Sequence, residues 1–173
     1  MTTHRIKADI SQDIHKVWKI LSEVWGYPIW RRDVEKTVTT DENQFTVCTK
    51  DGYSTMYTVI RAEPCRCWEA DVENSHVKGR WTIELTSRDG ETEIDITACA
   101  TAKRLSTRPV GKSVFEKTYL QKELERFAAD LENAAGKTGK TEARLKEAVC
   151  LYESGLITRG ECENKRKQIS EDL

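Results

Sequence analysis

Six cysteines and three histidines are the side chains here best suited to bind a metal or carry protons. The cysteines are Cys48, Cys65, Cys67, Cys99, Cys150 and Cys162, and no CxxC pair occurs among them. Cys65 and Cys67 form a CxC at a predicted strand start, where residues two apart point to the same face. Two thiolates cannot close a tetrahedral zinc site alone, and the nearest histidine in sequence is His76. The expectation is no metal, with reduced thiols packed as small apolar groups. His4 falls near the first strand, His15 on the polar face of the first helix and His76 in a turn, so all three read as surface histidines. Acid–base catalysis in a cavity would need a His, Asp, Glu, Tyr or Arg facing inward. Arg61, Glu69 and Asp71 face inward only if the strand parity is reversed. There is no Ser-His-Asp pattern, glycine-rich phosphate loop or HExxH, and Gly79-Arg80 is too short for a phosphate motif. No catalytic residue and no cofactor is expected, and an enzyme is the less favoured reading.

The aromatic residues are more informative. Trp30 follows the first helix, Tyr57, Trp68 and Trp81 lie on predicted strands, and Phe115 and Tyr119 lie on a long helix near the end. Tyr and Trp combine a broad apolar surface with one polar tip, which suits an amphipathic ligand. These six are the candidate ligand-binding residues. Ordinary core packing also accounts for Trp18 and Trp81. Ala98, Ala100 and Ala102 leave room on one strand face, for a cavity or for a closely packed helix.

The elements that must position these residues follow from periodicity. Arg5 to Ile10 alternates as a strand. Ser11 is placed to cap a helix whose apolar face is Ile14, Val17, Trp18, Leu21 and Val24, with Gly26 and Pro28 ending it. Tyr27 to Trp30 reads as a loop or one further helical turn. From Asp33 to Leu105 the period becomes two. Strands are predicted at 34–39, 44–49, 53–62, 67–73, 77–87 and 93–103, with turns such as Asp51-Gly52 and Arg88-Asp89-Gly90 between them. Successive hairpins of this kind make an antiparallel sheet with one buried face. A helix follows, with Leu120, Leu124, Phe127 and Leu131 at helical spacing. At about 22 residues it is about 33 Å long and can cross a sheet. Gly136 to Thr141 reads as a linker. Beyond it Leu145, Val149 and Tyr152 line one helix, Gly155 stops it, and Leu156 and Ile157 form the turn. Thr158 and Glu161 match a capping box for a last helix carrying Cys162 and Ile169. Such a hairpin buries too little to stand alone, so Leu145, Val149, Tyr152, Leu156, Ile157 and Ile169 are read as an interaction surface.

Composition bounds the partners. The 173 residues are 38% hydrophobic and 33% charged, with a net charge of -1. The segment 137–173 holds eight Lys/Arg against seven Asp/Glu, so no basic face marks a nucleic-acid partner. Lys165, Arg166 and Lys167 fan around a helix as a solvated face. No apolar run reaches the ~18 residues of a membrane span, and MTTHRIKADI carries no signal-peptide core. The reading is a mature, cytoplasmic protein.

The order of strand, helix, strands and long helix resembles the START-like (SRPBCC) superfamily, with its polyketide cyclase/dehydrase and lipid-transport branch. The matching segments are IKADISQDIHKVWKILSEVWGYPIW, CWEADVENSHVKGRWTIEL and VFEKTYLQKELERFAADLE. The resemblance implies an α+β helix-grip fold, a curved antiparallel β-sheet wrapped around a long C-terminal helix, with an apolar cavity between them. The words LYESGLIT and the following charged run resemble a SHOCT module, which implies oligomerisation or partner docking. The implied organisation is a helix-grip domain at 1–135, a linker at 136–141 and a helical hairpin at 142–173. Three functions follow: binding of a hydrophobic or amphipathic small molecule or lipid, which is favoured; a cyclase/dehydrase-type enzyme; or a regulatory scaffold with a closed cavity.

Overall fold

A computed structural model describes residues 1–103 and 112–171, and of 112–117, 137–143 and 170–171 the backbone alone. The chain divides into two compact units, Met1–Ala134 and Ala135–Leu173.

Seven strands form one antiparallel sheet in the order β1-β7-β6-β5-β4-β3-β2. They are β1 (Thr2–Ile10), β2 (Val34–Asp41), β3 (Gln44–Thr49), β4 (Ser54–Glu63), β5 (Cys67–Glu73), β6 (Val77–Arg88) and β7 (Glu91–Ala102). Each successive strand from β3 to β7 pairs with the one before it, and β1 pairs with β7, which leaves β1 and β2 at the two edges. The alternation read from the sequence sets the register. Trp68, Ile83 and Ile96 lie opposite one another across three strands, as do Ala70, Trp81 and Ala98, and all six are buried. Arg61 and Asp71 are exposed on the other face, with Arg80 paired to Asp71 at 2.7 Å and to Glu69 at 3.3 Å. The predicted strand parity is therefore correct.

Two helices join β1 to β2. Helix α1 (Ile14–Ser22) buries Val17 and Leu21, and its cap is Asp13, whose carboxylate accepts from the His15 amide at 2.9 Å. Ser11 stands two residues too early for that geometry. Gly26 and Pro28 do not end α1 either: it stops at Ser22, a 3-10 turn follows at Val24–Gly26, and Pro28 opens α2 (Tyr27–Trp30). Proline is tolerated in a first helical turn, where its missing N–H costs nothing.

Helix α3 (Lys112–Glu153) carries the predicted face of Leu120, Leu124, Phe127 and Leu131, all buried. It runs on through 136–141, where a linker is predicted. Each glycine costs a helix only about 1 kcal/mol relative to alanine, and the flanking Ala-, Glu- and Lys-rich segments favour helix enough to carry the backbone across.

In the second unit, α3 turns at Gly155 into α4 (Arg159–Glu171). Gly155 has φ 71°, the left-handed stop expected there. The predicted capping box is present: Glu161 Oε2 accepts from the Thr158 amide at 2.7 Å, and the Glu161 amide donates to Thr158 Oγ1 at 3.3 Å. Among the described residues of this hairpin, Ala148, Cys162 and Ile169 are buried. Of the residues read as an interaction surface, Val149 and Tyr152 are exposed, Leu156 is 72% exposed, Leu145 and Ile157 are half-buried, and Ile169 is buried. Alanine, the smaller residue, sits inside because it lets the two helix backbones approach. Among the described residues no helix is long and apolar enough to cross a membrane.

Candidate functional site

Among the described residues, seven rings connect within the first unit. Trp81 on β6 meets Phe127 on α3 at 5.5 Å, and Phe127 meets Trp30 on α2 at 5.5 Å. Trp30 contacts Tyr27 at 5.2 Å, Tyr27 contacts Phe45 on β3 at 5.9 Å, and Phe45 stacks on Tyr57 of β4 at 5.0 Å. Tyr57 reaches Trp68 on β5 at 6.4 Å. Edge-to-face and stacked pairs at these distances are favourable beyond their buried area. Alternation places Phe45, Tyr57, Trp68 and Trp81 on one sheet face, and helical spacing turns Phe127 toward it.

A charged group lies among these rings. The Arg31 side chain is 4% exposed. Its guanidinium carbon lies 5.6 Å from the centre of the Tyr27 ring and 5.4 Å from that of Phe127. Arg31 Nη2 donates to Asp33 Oδ2 at 2.9 Å and lies 3.6 Å from Glu123 Oε1. Arg126 pairs with Glu123 and, at 3.4 Å, with Asp33. Two cations thus balance two carboxylates, the arrangement buried charges require. Burial alone would lower the Arg31 pKa, but its neighbours Tyr57 and Asp33 outweigh that and hold it above the ordinary value. The Tyr57 phenol is raised by burial, against the opposing pull of the Arg31 charge. The Tyr27 phenol is likewise raised by burial, and its hydroxyl donates to the Leu21 carbonyl at 2.9 Å.

Among the described residues, the buried Trp30 indole Nε1 and Thr37 Oγ1 have no hydrogen-bond partner. Leaving such an atom unpaired costs about 1–3 kcal/mol.

Of the six predicted ligand-binding residues, the structure brings together Trp30, Tyr57, Trp68 and Trp81. Tyr119 is 56% exposed on α3, and the side chain of Phe115 lies outside the described residues. The sequence reading missed Tyr27, Phe45 and Phe127, and missed the charged group altogether. Arg31, Asp33, Glu123 and Arg126 belong to no motif and become neighbours only when α3 packs on the sheet. His15 and His76 are exposed as predicted, whereas His4 is half-buried, opposite Ala98 on the inner sheet face. Among the described residues no three His, Cys, Asp or Glu side chains are grouped to hold a metal.

The fold has solved counterparts. The ZhuI aromatase/cyclase from Streptomyces sp. R1128 is similar with a TM-score of 0.71 at 11% identity, over 79% of this chain and 94% of that one. A conserved protein from Geobacillus kaustophilus is similar at 0.68 and 14% identity, over 79% and 97%. A START superfamily protein from Mycobacterium smegmatis is similar at 0.67 and 12% identity, over 79% and 98%. At these identities the likeness shows the fold. No curated protein matches the chain. Residues 1–132 match the model of the family described as polyketide cyclase / dehydrase and lipid transport, and on that match over most of its length the chain belongs to this family.

Proposed function

We propose that the first unit binds a hydrophobic or amphipathic small molecule or lipid between sheet and α3 without transforming it. We further propose that the hairpin, which resembles a SHOCT module, mediates oligomerisation or docks a protein partner. The observation that carries the first reading is the run of seven rings around one buried, charge-balanced polar group. Rings supply apolar contact area, and the polar group supplies a fixed pole for the ligand's hydrogen-bonding end. The unpartnered Trp30 N–H gains an acceptor if a ligand displaces what covers it.

Trp30→Phe tests this, because it removes the N–H and keeps most of the ring. Binding of amphiphilic fluorescent probes is expected to weaken about tenfold, the worth of one hydrogen bond, with thermal stability unchanged or higher. Unchanged affinity would remove Trp30 from the site. For the hairpin, Leu156→Asp is expected to lower the solution mass or abolish partner capture while the sheet stays folded by circular dichroism. Wild-type mass and wild-type capture would contradict the assignment.

A second reading, cyclase/dehydrase-type catalysis, is favoured by Tyr57. Its phenol is buried and feels the Arg31 charge, and in a water-poor interior a positioned phenol can act as a general acid. Turnover of the bound molecule, lost in Tyr57→Phe with binding retained, would establish it.

A further inference from the structure

The turn between β4 and β5 places a cysteine where chains ordinarily place glycine. Glu63-Pro64-Cys65-Arg66 closes with the Arg66 amide donating to the Glu63 carbonyl at 3.0 Å. Proline fixes the second position, and Cys65 at the third has φ 57°. This turn type needs positive φ there and favours glycine or asparagine, because a Cβ crowds the left-handed backbone. The disfavoured residue has a partner. Cys65 Sγ lies 3.2 Å from His15 Nδ1. His15 is the second residue of α1, its amide fixed by the Asp13 cap. Two elements fifty residues apart in sequence thus deliver a thiol and an imidazole to one place. Cys65 is half-buried and His15 exposed, so both are open to solvent.

The other cysteines have different company. Cys48 Sγ accepts from Ser54 Oγ at 3.5 Å, Cys99 Sγ shares a hydrogen bond with Thr3 Oγ1 at 3.3 Å, and Cys162 Sγ donates to the Ala148 carbonyl at 3.5 Å. Hydroxyl and carbonyl oxygens do not remove a thiol proton at neutral pH. An imidazole does, and a thiol within hydrogen-bond reach of one is the arrangement of an activated nucleophile.

We propose that Cys65, with His15 as its base, is a modification site that reacts with small disulfides to carry a low-molecular-weight thiol. With the ring proton on Nε2, Nδ1 accepts the Cys65 proton. The thiolate attacks one sulfur of a disulfide RSSR. The S–S bond breaks as the Cys65 S–SR bond forms, and the departing RS⁻ takes the proton back from His15 and leaves as RSH. The disulfide is the oxidant, and the cysteine ends as a mixed disulfide. Cys67, two residues on, is buried with its thiol pKa pushed up by burial. It is therefore a poor resolving thiol, and the adduct persists.

The test is the intact chain with glutathione disulfide at neutral pH, followed by mass measurement and peptide mapping over time. Cys150 is exposed and serves as the internal reference for an ordinary thiol. Cys65 is expected to react at least about tenfold faster than Cys150, a conservative return for a positioned base. His15→Gln is expected to remove that advantage while the Cys150 rate stays unchanged and Cys67 stays unmodified, the sign of intact packing. Cys65 reacting no faster than Cys150, or a His15→Gln rate equal to wild type, overturns the proposal. If Cys67 becomes modified in the variant, the fold has opened, and the wild-type ratio of Cys65 to Cys150 decides alone.

Discussion

Arg31 is the residue on which the interior depends most. It is sealed between two rings and neutralises Asp33 and Glu123. Arg31→Met keeps the bulk but leaves the carboxylates short of a cation, and removing one partner of a buried pair costs about 3–5 kcal/mol. Chemical denaturation is expected to show a loss of that size, and a change below about 1 kcal/mol would place the group in solvent. Arg31→Lys is expected to recover little, since an ammonium lacks the planar fork that spans Asp33. None of this was legible in the sequence. Arg31 sits in the ordinary-looking string Trp30-Arg31-Arg32-Asp33, and Arg32 beside it is exposed, its amide donating to Asp130 on α3 at 3.0 Å. Which of two adjacent arginines turns inward is settled by the end of α2 and by the distant face of α3. The aromatic residues were more legible, because a tryptophan at an alternating strand position is buried by the same rule that makes the strand.

At the scale of elements, the hairpin strands and caps were the most readable parts, since their signals are local. The α4 capping box was visible as Thr158 and Glu161, and it has a pH consequence. The Thr158 backbone amide, then its hydroxyl, hold the Glu161 carboxyl below the ordinary carboxylate range. A lowered folded-state pKa means stabilisation that is complete above the unfolded value and lost as pH falls through the folded one. Hydrogen-exchange protection of α4 is therefore expected to decline on acidification below about pH 4, and Glu161→Gln is expected to flatten that dependence. An identical acid profile in the variant would assign the loss to other groups. Close strand packing was not legible. A Cβ on Gly79 of β6 would run into the Cys99 carbonyl oxygen and lie 3.1 Å from Ala100 Cα on β7. Because those atoms are backbone, Gly79→Ala is expected to cost about 1–3 kcal/mol or more, read as a lower thermal midpoint. A neutral substitution would mean that β6 and β7 separate freely. The helical course of 136–141 was misread for the opposite reason: two glycines looked decisive locally, while helix formation depends on the whole window.

For the whole molecule, the order of elements was enough to read the sheet and its long helix, because hairpins of this length leave few alternative topologies. What the interior holds was not readable, since a ring cluster serves a packed core and a ligand site alike. Family membership points toward hydrophobic ligands without choosing between carrying and transforming them. The direct measurement is native mass spectrometry of the purified full chain, followed by denaturation of the same sample and analysis of what is released. The account predicts a stoichiometric small molecule, apolar over most of its surface with one hydrogen-bonding end, that leaves on denaturation unchanged in mass. A chain that carries nothing, and that takes up no amphiphile when one is supplied, would contradict it and make the seven rings a closed core.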